Sequence, residues 1–100
     1  MTRKVTVVTG HEQAGDRPAI IVSPGAYNQK TGLALMCPIR SKRKGYPFEV
    51  ELPYDLEISG VILSDQIKSL DWQARNVRFA CKASNEVITE ALAKIKVLLE

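Results

Sequence analysis

The stretch FEVEL, residues 48–52, alternates apolar and acidic residues and is followed by Pro53. Successive side chains of a β-strand point to opposite faces, so the alternation predicts a short strand with its apolar side chains in the core and Glu49 and Glu51 in solvent. Pro53 has no backbone N–H to donate to a neighbouring strand and therefore ends this one. The stretch predicts a sheet that is buried on one face.

Further short strands are predicted on both sides of this stretch, each bounded by turn residues. They are KVTVVT at 4–9, PAIIVS at 18–23, residues 33–39, VIL at 61–63 and residues 77–81. Residues 9–17 contain two glycines and many polar side chains and predict a mobile loop, while residues 26–32 predict an irregular connection. No segment between the strands has the pattern of a crossover helix, which favours a small antiparallel barrel or sandwich.

The hydrophobic pattern changes to a helical period after Ser84. Apolar residues then recur at spacings of three and four: Ile88, Ala91 or Leu92, Ile95, and Leu98 or Leu99. Ser84 suits the N-cap of a helix, and Glu86 suits its positively polarised first turn. The sequence thus predicts five or six short strands followed by one amphipathic helix. This is a mainly β (α+β) fold in a single domain over residues 1–100.

The composition is that of a packed soluble domain. The 100 residues are 45% hydrophobic and 25% charged, which is too apolar for a disordered chain. Apolar runs are far shorter than the ~18 residues of a transmembrane helix, and the first ten residues lack the apolar core of a secretion signal, so we expect a cytoplasmic protein. Cys37 and Cys81 are expected to be reduced core thiols. With His11 they are too few for a zinc site, and no metal or cofactor is expected.

Positive charge is concentrated in the first half of the chain. Residues 1–48 carry eight cationic and two acidic side chains, a net charge of +6, whereas residues 49–100 carry six and nine, a net charge of −3. Four of the cations fall in RSKRK at residues 40–44. This cluster could bind a polyanion or an acidic partner, or it could be a solvated loop between two strands.

The sequence contains none of the common catalytic motifs that depend on paired histidines, a metal cluster or a phosphate-binding loop. Cleavage of RNA needs none of them, because the ribose 2′-hydroxyl of the substrate is itself the nucleophile. The protein must align this hydroxyl with the phosphorus, accept its proton and stabilise the charge on the phosphate oxygens. An arginine together with a hydroxyl or a carboxylate in a dry pocket is sufficient for that chemistry.

Three blocks of the sequence resemble the MazF/PemK family of toxin endoribonucleases: HEQAGDRPAIIVSP at 11–24, KGYPFEV at 44–50 and LSDQIKSLDW at 63–72. Their order and spacing also resemble the family pattern. The resemblance implies a compact SH3-like barrel with a C-terminal helix that forms a homodimer. It also implies sequence-specific, metal-independent cleavage of single-stranded mRNA to 2′,3′-cyclic phosphate and 5′-hydroxyl ends, and inhibition by a cognate antitoxin with an acidic disordered tail.

The resemblance implies roles for individual residues of these blocks. Arg17 matches the family's catalytic arginine and would stabilise the charged phosphorane; the alternative is a surface ion pair with Glu12 or Asp16. Glu12 would accept the 2′-hydroxyl proton, and Gln13 would contact a base edge; the alternative is that both are ordinary solvated loop residues. Further candidates for RNA contacts are Lys30, Lys42, Arg43, Lys44, Asp65 and Gln66, the last two of which could instead cap a turn.

Position 40 departs from the family pattern, which has a catalytic threonine five residues before the Gly-Tyr-Pro turn. This chain has Arg40 there. A guanidinium pairs with phosphate but lacks the reach of a small hydroxyl, so we expect Arg40 to weaken cleavage while RNA affinity is retained or increased. The adjacent Ser41 could substitute only through a local bulge, because neighbouring strand residues point to opposite faces.

The first strand departs from the family pattern as well. MTRKVTVVT at residues 1–9 lacks the aromatic and acidic residues of the family's first strand. It can form a strand, but its pairing with the rest of the barrel does not follow from the sequence. An unpaired sheet edge at this point would favour association or aggregation.

Three functions are compatible with these features. The first is a toxin endoribonuclease, with its activity weakened at position 40. The second is a catalytically inactive member of the same fold that binds RNA or antitoxin, which Arg40 and the altered first strand favour. The third is a gyrase poison, since the related CcdB toxins share the fold, although the E-Q-x-G-x-R-P block argues against it.

Overall fold

The computed structural model describes residues 4–12, 15–53 and 56–100, with the backbone alone described at residues 4–12, 15–16 and 83. Within these ranges the chain forms seven strands, two helices and a 3-10 turn at Ser64–Gln66. The strands are β1 Lys4–Glu12, β2 Gly15–Ile21, β3 Leu33–Arg40, β4 Glu49–Glu51, β5 Val61–Leu63, β6 Lys68–Asp71 and β7 Arg78–Ser84; the helices are α1 Gly25–Thr31 and α2 Asn85–Leu99. No helix in these ranges is long and apolar enough to cross a membrane.

The strands form one antiparallel sheet in the order β4-β5-β3-β2-β1-β7, with β6 paired to β3. β3 is the central strand, because it pairs with β6 at residues 33–36, with β2 at 36–38 and with β5 at 39–40. The predicted fold class is confirmed: the protein is mainly β, built from short antiparallel strands, and ends in a helix.

β1 pairs along both of its edges, with β2 on one side and β7 on the other. The N-terminal segment is therefore an interior strand rather than an unpaired sheet edge. β1 continues to Glu12, which faces Gly15 at the start of β2, so the prediction of a loop over residues 9–17 is wrong. Ladder hydrogen bonds join backbone groups whatever the polarity of the side chains, which is why the polar composition was misleading.

Two described elements, α1 and β6, are absent from the sequence-based prediction. α1 has no buried residue, so no apolar stripe marks it. It ends at Gly32, whose φ of 73° is left-handed and whose N–H donates to the carbonyl of Asn28. β6 has only one partly buried side chain, that of Leu70. Neither element carries the apolar periodicity on which recognition from sequence depends.

The core lies between α2 and the strands β2 to β5. Its most deeply buried side chains are Ile20, Cys37, Val50, Ile62, Ile88 and Ala91, all 0–1% exposed. The predicted helical stripe is correct up to Ile95, but Leu99 is 81% exposed. Cys37 and Cys81 are free thiols, as predicted. Burial, followed by the charge of Asp65, raises the pKa of Cys37 to about 11, so this thiol is neutral at physiological pH.

Glu49 is buried, which contradicts the prediction that both glutamates of β4 face solvent. The residue is 8% exposed, whereas Glu51 faces solvent as predicted. The Glu49 carboxylate accepts hydrogen bonds from the backbone N–H groups of Lys44 (3.1 Å) and Gly45 (2.9 Å) and from the Arg40 guanidinium. A buried carboxylate is tolerated only when such donors compensate its lost hydration, and the loop before β4 supplies them.

The burial pattern predicts that the middle of α2 stabilises the fold and that its last turn does not. Ile88 is 1% exposed, so Ile88→Ala leaves a cavity and should lower the free energy of unfolding by ~2–5 kcal/mol. Leu99→Ala, at the exposed end of the same helix, should change it by less than ~0.5 kcal/mol. Urea denaturation of the two variants measures both values, and equal losses would contradict this description of the core.

The contacts of Glu49 predict a dependence of stability on pH. Burial alone would raise the pKa of its carboxyl, but the N–H groups of Lys44 and Gly45 and the Arg40 guanidinium outweigh it and hold the pKa below the usual value. A carboxyl with a lowered pKa stabilises the fold at pH values above its unfolded-state pKa, ~4.3. This stabilisation is lost as the pH falls through the folded-state pKa.

Glu49→Gln should therefore flatten the change in unfolding free energy between about pH 5 and about pH 3. Urea titrations across that range measure the effect. Glu51→Gln is the matched control, since its side chain is 55% exposed and lies on the same strand. A pH dependence that is the same in Glu49→Gln as in the parent protein would refute the assignment.

Candidate active site

A pocket of about 530 Å³ opens where β2, β3 and β6 meet. Its polar lining residues are Arg17, Arg40, Ser41, Ser59, Gln66 and Lys68. Its apolar lining includes Met36, Pro38, Ile39, Leu63 and Leu70. Cationic and hydroxyl groups set among apolar side chains suit a phosphate ligand, because electrostatic interactions strengthen where water is excluded.

Arg17 extends from β2 with an exposed side chain and lines the pocket together with Arg40, Ser41 and Gln66. The adjacent strands β2 and β3 bring these segments together, since Ala19 pairs with Pro38. The pairing ends two residues short of Arg17 and of Arg40, so both residues lie just beyond the paired part of the two strands, beside the same pocket. Four predicted site residues from three separate segments thus share one pocket.

The Arg40 guanidinium is already engaged within the protein. Its Nε donates to the carbonyl oxygen of Lys42 (2.9 Å), one Nη donates to the Glu49 carboxylate, and it lies 5.8 Å from the centre of the Tyr46 ring. The Arg40 side chain is 25% exposed. Two of its N–H groups are thus used within the protein, so Arg40 is a partly neutralised cation at the pocket wall.

Ser41 lies one residue beyond the end of β3, and both Ser41 and Arg40 line the pocket. Because Ser41 is not a strand residue, the alternation of strand side chains does not apply to it. Whether its hydroxyl replaces that of the family's threonine stays a prediction. Gly60 packs against this point with a φ of 127°, and a β-carbon there would collide with the Arg40 carbonyl oxygen. Only glycine permits so close an approach of the two backbones.

The other predicted RNA-contacting residues lie outside the lining of this pocket. Asp65 is an exposed residue of the 3-10 turn, and Lys30 lies in the last turn of α1. Lys42, Arg43 and Lys44 are exposed in the loop that follows β3.

Arg43 lines a second, smaller pocket of about 200 Å³. Its guanidinium pairs with the Glu51 carboxylate (2.7 Å). Ser41 and Ser59 belong to both pockets, so the two are adjacent. Gln13 and the Glu12 side chain, predicted to contact a base and to accept a proton, lie outside the described residues.

Lys68 is a pocket residue that the sequence analysis missed. It opens β6, where it pairs with Met36 of β3. Its position could have identified it, because Lys68 follows Gln66 by two residues in the block at residues 63–72. The sequence pattern did not predict β6, so Lys68 was not placed on a strand. In the described part of the chain, no group of three or more His, Cys, Asp or Glu side chains could hold a metal ion.

Comparisons with known proteins identify relatives over nearly the whole chain. Residues 3–99 match the family described as PemK-like, MazF-like toxin of type II toxin-antitoxin system. The chain is 47% identical over 90 residues to the endoribonuclease toxin MazF of Escherichia coli (strain K12), covering 90% of this chain and 80% of that protein.

Solved structures of this family also resemble the chain. A MazE-MazF structure from Deinococcus radiodurans matches with a TM-score of 0.90 and 45% identity, covering 94% of this chain and 90% of that one. A mycobacterial endoribonuclease in complex with its cognate antitoxin shares the fold alone, with a TM-score of 0.82 at 18% identity, covering 94% of this chain and 90% of that one. The chain belongs to the PemK-like, MazF-like toxin family of type II toxin–antitoxin systems.

Proposed function

We propose that this protein is the endoribonuclease toxin of a type II toxin–antitoxin system and that it cleaves single-stranded mRNA in the cytoplasm. One observation carries the proposal: a chain of this toxin family has a pocket lined by Arg17, Arg40, Ser41, Gln66 and Lys68. These side chains supply charge and hydrogen bonds for a phosphodiester. The relative at 47% identity is itself named an endoribonuclease toxin.

In the proposed reaction the substrate supplies the nucleophile and no metal ion takes part. The 2′-oxygen bonds to the neighbouring phosphorus as the bond from phosphorus to the 5′-oxygen breaks. The products are a 2′,3′-cyclic phosphate and a 5′-hydroxyl end. Glu12 is the proposed acceptor of the 2′-hydroxyl proton, and the leaving 5′-oxygen takes up a proton. Arg17 stabilises the charge on the phosphorane oxygens; it stays protonated near neutral pH and does not act as a base.

The remaining proposed roles divide between chemistry and RNA contact. Ser41 supplies the hydroxyl at the pocket wall, and Arg40 lowers turnover because its guanidinium stands where the family pattern has a threonine. Gln66 and Lys68 contact the RNA within the pocket. Further contacts outside it come from Gln13, Lys30, Lys42, Arg43, Lys44 and Asp65.

Two protein partners follow from the family and are supported by the surface. A cognate antitoxin with an acidic tail would cover the exposed cations at residues 42–44. A second copy of the chain would cover exposed apolar side chains of α2, among them Leu92 (41% exposed) and Leu98 (47%). The MazE-MazF structure from Deinococcus radiodurans, whose matching chain is 45% identical to this one, supports the first of these partners.

Arg17→Ala should slow cleavage of a mixed-sequence single-stranded RNA by ~100-fold or more, because it removes a donor that stabilises transition-state charge. The measurement is the cleavage rate, with fragment ends mapped as cyclic phosphate and 5′-hydroxyl. Lys96→Ala is the control, since it removes the same charge from an exposed side chain in the last turn of α2, outside the pocket lining. Equal rates for Arg17→Ala and the parent protein would refute the assignment of Arg17.

The same assay separates the alternative functions. An RNA that is shifted in a gel but left intact, by the parent and by the Arg40→Thr variant, would support an inactive binding module and contradict the proposal. The names of the relatives favour RNA cleavage over gyrase poisoning. A supercoiling reaction with gyrase and this protein should therefore proceed unchanged.

Arg40→Thr should raise the cleavage rate by ~10-fold or more, because it restores a small hydroxyl and clears the guanidinium from the pocket wall. The rate at saturating RNA is the quantity to compare. Arg43→Thr is the control, because it removes a neighbouring cation that does not line the main pocket. If the parent protein cuts as fast as Arg40→Thr, position 40 has no part in the chemistry.

A further inference from the structure

The Glu49 carboxylate joins β4 to the segment that forms the pocket wall. Its donors are the backbone of Lys44 and Gly45 and the guanidinium of Arg40, all from residues 40–45. From the opposite side, the Lys94 ammonium of α2 donates to the backbone carbonyl of Glu49 (2.7 Å). The acid is therefore held by the core helix and in turn holds the loop that contains Ser41.

The charge of Glu49 also bears on the pair of arginines in the pocket. Arg17 and Arg40 line the same pocket, and two like charges at one pocket repel. The Arg40–Glu49 ion pair is neutral as a unit, which weakens that repulsion and favours Arg17 as the contact of the scissile phosphate in the proposed reaction. The pair also keeps the long Arg40 side chain against the wall.

We propose that Glu49 is a positioning residue of the ribonuclease site, an inference that rests on the function proposed above. It acts through two contacts. Its bonds to Lys44 and Gly45 fix the loop, which sets the Ser41 hydroxyl at the pocket wall. Its bond to Arg40 holds that guanidinium back from the scissile phosphate. Glu49 touches no substrate atom itself.

The Glu49→Gln variant tests this positioning role, because it should lower turnover and raise RNA affinity. Without the carboxylate, the loop is less well fixed, and turnover at saturating RNA should fall by ~10-fold or more, since small misplacements of catalytic groups are costly. Arg40, no longer paired, becomes available to the RNA, so affinity should rise at low salt. The slope of log affinity against log salt should steepen by about 0.7. A variant that merely unfolded would lose both turnover and affinity.

Glu51→Gln is the matched control, because it removes the same charge from the same strand and releases an exposed cation, Arg43. Its turnover should stay within about twofold of the parent, since exposed ion pairs contribute little. Amide hydrogen exchange gives a readout without RNA: the N–H groups of Lys44 and Gly45 should exchange faster in Glu49→Gln and unchanged in Glu51→Gln.

The two proposals fail in distinguishable ways. If neither the parent nor Arg40→Thr cleaves RNA, the ribonuclease function is wrong, and the role of Glu49 in its chemistry is lost with it. If the parent cleaves and Glu49→Gln has the same turnover, the function stands and the positioning role is refuted. Unchanged exchange at Lys44 and Gly45 would also refute it.

Discussion

The buried carboxylate of Glu49 is the contact on which the geometry of the pocket wall depends. The segment 40–44 carries four cations in five residues, and such a run repels itself and has no apolar side chain to anchor it. Glu49 gives it an anchor by accepting bonds from two backbone N–H groups and one guanidinium. Because Lys94 ties Glu49 to α2, the position of the loop is set by the core.

The pocket is assembled where several chain segments meet on β3. This strand pairs with β2, β5 and β6, and through them it brings Arg17 and Lys68 to the same cavity. Gly60 allows the turn before β5 to lie directly against the backbone of Arg40. The proposed site thus lies at the end of the central strand, whose backbone is paired with three other strands.

Recognition from sequence succeeded where apolar residues repeat with a clear period. β3 and β5 are almost continuous apolar runs, and α2 has the spacing of three and four up to Ile95, so each was predicted close to its observed bounds. It failed at α1 and β6, whose described side chains are mostly exposed, and at the polar ends of β1 and β2. In those segments backbone pairing and tertiary contact decide the structure, and neither leaves a pattern in the side chains.

By itself, the sequence determined the mainly β fold class, the family, the free thiols and the candidates Arg17 and Gln66, because these follow from local periodicity and from motifs contiguous in the chain. Only the tertiary structure decided that Glu49 is buried, that Arg40 is engaged by it, and that Ser41 and Lys68 reach the same pocket. The physical reason is that these outcomes depend on hydrogen-bond donors from the backbone and on partners distant in sequence. An alternating pattern shows which side chains of a strand share a face. Whether a glutamate on the polar face contacts water or N–H groups depends on whether a loop folds over that face.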